Sequence, residues 1–233
     1  MTSARTTSLI GFVLLANLVA LSVPALEMPT LDPACVFQKP ILCAELPHDG
    51  AELRAVLADP ANPLARWRRQ IYWDMPFLVL YFAIVALTAL RDGERGGRRL
   101  AMLAAVLMGV GALLDAVENT GILSAIADVE AGNAVSDGTA SWVRIASLSK
   151  FLFLCAGCAI GLGFAFRDAP WVARTPLGLG IVACALVLVG LVSPPFIEVG
   201  ALGIVAACLA AWVRSGLQWR REIRAWSLPS EGS

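Results

Sequence analysis

Residues 100–123 read LAMLAAVLMGVGALLDAVENTGIL. Asp115 and Glu118 are the only charges in this run, which as a helix at 1.5 Å per residue reaches about 36 Å, more than the ~30 Å hydrocarbon core of a bilayer. A run of this kind crosses a membrane as a helix, and it sets the fold class. Its polar residues are ordered too: Asp115, Glu118 and Asn119 stand at i, i+3 and i+4, on one helical face.

Outward from this segment, further apolar runs lie at Leu9–Ala25, Ile71–Leu90, Trp142–Phe166, Pro176–Val192 and Val199–Val213. The sequence therefore predicts an all-α, multi-pass integral membrane bundle of about six transmembrane helices. It divides into a first helix (1–26), a Pro-rich outer loop (27–70), a membrane bundle (71–213) and an amphipathic tail (214–233). Composition agrees. With 58% hydrophobic and 15% charged residues and a mean hydropathy of +0.73, the chain is too apolar for a soluble enzyme or a disordered scaffold. Eighteen basic residues against 18 acidic ones leave no net charge, which excludes a nucleic-acid binder.

Orientation follows from the short loops. Arg91, Arg95, Arg98, Arg99, Arg167, Arg174, Arg214, Arg220, Arg221 and Arg224 all fall on one side with Arg5, whereas Asp128, Glu130 and Asp137 lie opposite. Positive loops stay in the cytoplasm, so both termini are expected there, in a cell membrane such as the bacterial inner membrane. Arg66, Arg68 and Arg69 break the pattern, but they end a long loop, to which the rule applies weakly. Trp67, Trp73, Trp142, Trp171, Trp212 and Trp219 sit near span ends, as interfacial indoles do. In the tail, Trp219, Ile223 and Trp226 share one face of a surface helix. Val23-Pro24-Ala25 also has the small residues of a signal-peptide cleavage site, and cleavage there leaves five spans.

The outer loop carries Pro29, Pro33, Pro40, Pro47, Pro60 and Pro63. This density predicts an extended cap with at most a short helix at Ala51–Ala58, too small to form a core of its own. Cys35 and Cys43 are expected to close it as a disulfide, and His48 reads as a solvated loop residue.

Within the membrane, Asp115 lies roughly 20 Å from the cytoplasmic end of its span, and Lys150 roughly 12 Å below the outer end of the next. The depths match, and an unpaired intramembrane charge is costly, so Lys150 is expected to meet Asp115 or Glu118, with Arg144 as a second cation nearer the surface. Ser147, Leu154, Gly157 and Gly161 continue the lysine face, and the small residues at Gly157 and Gly161 predict close packing on the neighbouring span. Asp115, Glu118, Asn119, Lys150 and Arg144 thus form the candidate site. It reads either as a proton-, cation- or headgroup-handling pocket or as a satisfied charge cluster that fixes helix register.

Cys155 and Cys158 form a C-x-x-C in the fourth span, deep in apolar surroundings that raise a thiol's pKa and favour an inert, buried role. Taken with Cys35-x7-Cys43, the pattern resembles vitamin K epoxide reductase proteins, which pair loop cysteines with a C-x-x-C beside a quinone. That resemblance implies a membrane thiol-disulfide oxidoreductase, with electrons passing between Cys35/Cys43 and Cys155/Cys158.

No span contains a His, which leaves haem, copper, di-iron and zinc-protease sites without ligands, and no phosphate-binding glycine loop is present. No cofactor and no metal are expected. The leading expectation is a non-enzymatic, transporter-like or accessory membrane subunit. A thiol-disulfide oxidoreductase and a helical scaffold for another membrane protein are the alternatives, and the expected partners are membrane lipid, other membrane subunits or further copies of the chain.

Overall fold

The computed structural model describes residues 9–17, 40–93 and 97–165, with isolated helical positions at Thr6, Val182, Ala185, Leu186, Phe196, Trp212, Val213, 216–220 and Ile223. Every regular element among these residues is an α-helix. A segment over 9–17 (α1) precedes two short helices, α2 (Pro40–Glu45) and α3 (Gly50–Leu57), and three long ones, α4 (Leu64–Gly93), α5 (Arg98–Glu130) and α6 (Asp137–Ala165). Apart from the isolated positions, the expected spans at Pro176–Val192 and Val199–Val213 lie outside the described residues, as do the second half of the first span and Cys35.

Three of the described helices are long and apolar enough to cross a membrane. At 30, 33 and 29 residues they reach about 45, 50 and 44 Å, so all three exceed the hydrocarbon thickness. They correspond to the runs Ile71–Leu90, Leu100–Leu123 and Trp142–Phe166, but α4 starts seven residues before its run and α5 ends seven after. Arg66, Arg68 and Arg69 at one end, and Asp128 and Glu130 at the other, interrupt hydropathy without interrupting the backbone ladder. Pro76 lies inside α4. It removes one N–H, and the helix continues through it.

Short loops make the three helices antiparallel neighbours. Gly132 ends α5 in the left-handed region at φ 75°, a conformation that costs glycine little, and Ser136 caps α6 by accepting from the Thr139 amide at 3.0 Å. Between the helices, glycines set the separation. A Cβ on Gly157 would stand 2.8 Å from Met108 Cγ and 3.1 Å from the Met108 backbone nitrogen. One on Gly161 would stand 3.2 Å from Val85 Cγ1, so this face of α6 packs on both α5 and α4.

The described part of the Pro-rich loop, residues 40–70, is more helical than the extended cap the sequence predicts, because it holds two short helices and the start of α4. Proline is compatible with a helix's first turn, where its missing N–H has no partner to lose, and Pro40 opens α2. Asp49 caps α3 by accepting from the Glu52 amide at 2.8 Å, while Glu52 in turn accepts from the His48 amide at 2.7 Å and from its ring Nδ1 at 2.8 Å. The cap is seated on the bundle: the Gly50 amide donates to Asp137 Oδ1 at 2.9 Å, and Gly50 lies so close to the Val135 carbonyl that a Cβ would overlap it.

Cys43, Leu53, Val56 and Leu57 of the cap pack with Ile71, Ile122, Ile126 and Val143, so the loop completes its core with the ends of the long helices. Trp67 belongs to this cluster and is fully buried. It is therefore not the interfacial indole that its position in the sequence implies, since the cap covers it. Trp73 and Trp142 do remain exposed, at 43% and 59%. On the other flank, the Asn17 amide of α1 donates to the Trp73 carbonyl at 3.2 Å, and Phe12 meets Trp212 edge-on with centroids 5.1 Å apart.

Because the Met108 backbone nitrogen as well as its side chain bounds the gap at Gly157, Gly157→Val should lower stability by about 1–3 kcal/mol through overpacking, whereas Gly138→Ala, which meets only Ser136 Oγ at 3.6 Å, should be nearly neutral. Unfolding of both variants in detergent micelles checks this, and equal midpoints would mean that α5 and α6 have room to part.

Candidate functional site

The i, i+3, i+4 face of α5 turns inward. Asp115, Glu118 and Asn119 are 4%, 0% and 2% exposed, and Lys150 on α6 is 5% exposed. The Lys150 ammonium donates to Glu118 Oε1 at 2.7 Å and to Asp115 Oδ1 at 3.0 Å, so it meets both carboxylates rather than one. A third follows from the cap: Glu45, the last residue of α2, places Oε1 at 3.4 Å from the same ammonium. The cap is also pinned by its backbone, because Ser147 Oγ donates to the Glu45 carbonyl at 2.7 Å.

Two residues of α4 close the cluster. Tyr81 donates its hydroxyl to Asp115 Oδ2 at 2.9 Å, and Asp74 Oδ2 accepts from the Asn119 amide at 2.7 Å. Asp74, Tyr81 and Glu45 are not among the candidate residues named from the sequence. The i, i+7 spacing of Asp74 and Tyr81 carries a signal for two of them, since both occupy one face of α4. Nothing local marks Glu45. Arg144, the expected second cation, is half-buried one and a half turns from Lys150 and makes no ion pair or hydrogen bond with these carboxylates among the described residues.

The resulting site holds four carboxyl groups and one ammonium. Its polar atoms are nearly all matched, but Glu45 Oε2 and Glu118 Oε2 are buried with no hydrogen-bond partner. Both belong to residues that already contact Lys150 through their other oxygen. Burial pushes the Glu45 carboxyl above its ordinary range; Lys150 opposes this rise and Asp115 adds to it. Among the described residues no group of three or more His, Cys, Asp or Glu is arranged to hold a metal ion.

The thiols lie elsewhere. Cys155 and Cys158 are buried one to two turns further along α6, with Cys158 Sγ 3.7 Å from Met108 Sδ. Cys43, on α2 of the cap, is buried against the ends of the long helices, and its expected partner Cys35 lies outside the described residues. His48 is exposed and bound to Glu52, away from the carboxyl cluster.

Comparison with known protein families, with curated proteins and with solved structures finds no match to this chain.

Removing Lys150 leaves buried carboxylates without their common cation. Lys150→Met should therefore destabilise the protein by about 3–5 kcal/mol, and adding Glu118→Gln should recover part of the loss. A double-mutant cycle on unfolding in detergent measures this, and additive effects would show that the two groups do not interact.

Glu45 sets a pH dependence of definite sign. A carboxyl whose folded-state pKa lies above its unfolded value contributes stability that is complete below the ordinary carboxylate range and is lost as pH rises through the raised value. Wild type should lose stability as pH rises above the ordinary carboxylate range. Glu45→Gln should flatten this part of the profile, and parallel profiles would overturn the assignment.

Proposed function

We propose that this chain is a non-enzymatic integral membrane subunit, transporter-like or accessory to a larger assembly, in which the Glu45, Asp74, Asp115, Glu118 and Lys150 cluster takes up and releases protons. The observation that carries the reading is the mismatch of four carboxyls with one ammonium, together with the unpartnered Glu45 and Glu118 oxygens. Several unpaired negative charges cannot persist in such a setting, so protons are the counter-charges the cluster can hold without a metal-binding geometry. Asn119 and Tyr81 orient Asp74 and Asp115, and Glu45 brings the cap into direct contact with the charged site.

The same proposal carries the orientation and span count expected from the sequence: six helices, both termini in the cytoplasm, the cap outside a bacterial inner membrane, and a Cys35–Cys43 bond closing the cap. The thiol-disulfide reading has less support. Cys43 of the cap packs with Ile122 and Val143, whereas Cys155 and Cys158 pack with Met108 and Leu154, in a separate part of the core. Exchange between the two pairs would require the cap core to open.

Proton binding is directly measurable. In weakly buffered detergent solution with a pH-sensitive dye, acidification from neutral pH should load protons onto the wild type, with less uptake in Glu118→Gln and Asp74→Asn at matched folding. Equal uptake in all three would remove this function and leave the cluster a fixed ionic brace.

A further inference from the structure

We propose that the groove on the cap-side end of α4, lined by Ala65, Arg68, Arg69, Tyr72, Trp73 and Pro76, binds the phosphate headgroup of an anionic phospholipid. The groove measures about 570 Å³, and no carboxylate is among these lining residues. Their spacing places them on one stripe of the helix, and the stripe changes character along its length. Two guanidinium groups come first, then Tyr72 and Trp73, 59% and 43% exposed, then Pro76, and beyond it Val79, 56% exposed. Charge, amphipathic aromatic and apolar surface follow in the order phosphate, glycerol region and acyl chain.

The depth is consistent. Exposed Trp73 and Trp142 mark the edge of the apolar belt, which continues through exposed Val79, Ile145 and Leu152. The arginines therefore stand just beyond the hydrocarbon, at headgroup level. Arg68 also donates to Glu130 from Nη2 and its Nε is buried, so Nη1 is the nitrogen it presents to a headgroup. Arg69 is exposed beside it. Pro76 contributes to the floor: without its N–H, the Tyr72 carbonyl lacks its helical donor and is suited to a headgroup hydroxyl or ammonium. This site is separate from the carboxyl cluster and does not depend on its function.

The test uses Trp73 as a reporter. The full chain is placed in vesicles whose acyl chains are brominated on either phosphatidylglycerol or phosphatidylcholine. The quenching due to Trp73 is the difference between wild type and Trp73→Phe. Phosphatidylglycerol should quench more strongly, and this preference should fall about five-fold for each arginine removed in Arg69→Gln and Arg68→Gln/Arg69→Gln. Added inorganic phosphate should not compete. Equal quenching by the two lipids, a preference that survives the double substitution, or displacement by inorganic phosphate would each overturn the proposal. If loss of the Arg68–Glu130 pair unfolds the double variant, Arg69→Gln alone decides, once its unfolding transition is shown to match that of wild type.

Discussion

The ammonium of Lys150, held by Glu118, Asp115 and Glu45, is the contact on which the arrangement of this protein depends. An unpaired lysine buried to this extent would cost at least a few kcal/mol, so α6 can occupy its place only with α5 beside it. The glycines then make the approach close enough for short bonds, since Gly111 and Gly157 leave space for Leu154 and Met108. Electrostatics specify which faces meet, and small residues set how near they come. Tyr81 and Asp74 extend the same logic to α4, which joins through one bond to Asp115 and one to Asn119.

The cap owes its position to the same centre. Its apolar side chains fill the space above Ile122, Ile126 and Val143, but apolar packing alone tolerates sliding. Directional bonds remove that freedom: the Glu45 carboxylate to Lys150, the Glu45 carbonyl to Ser147 Oγ, and the Gly50 amide to Asp137. Glu45 thereby ties α2, the one element of the site that is not part of a long helix, to the charge of the buried cluster.

The long helices were legible because hydropathy and helix length coincide in residues 100–123 and their neighbours. Their ends were not, because Arg66, Arg68, Arg69, Asp128 and Glu130 end an apolar run while the backbone ladder passes through them. The Asp115, Glu118, Asn119 face and the matching depth of Lys150 could be read from a 3.6-residue period and a rise per residue. Glu45 could not, since it reaches α6 across a sequence separation of 102 residues from Ser147, and no local pattern encodes such a contact. Trp67 misled for a related reason: an indole near a span end is interfacial only when nothing covers it, and the cover here comes from a distant segment.

The tight turn between α5 and α6 has a consequence for biogenesis. Only residues 131–136 separate the two helices, so Asp115 and Glu118 are still nearby when Lys150 leaves the ribosome. Each helix is apolar enough to span lipid, but alone it would carry its charge unpaired, two acids on α5 and one cation on α6. Partitioning as a preformed helical hairpin lets each neutralise the other before exposure to hydrocarbon. In a membrane, such mutual neutralisation would favour the hairpin over the single helix as the unit of insertion.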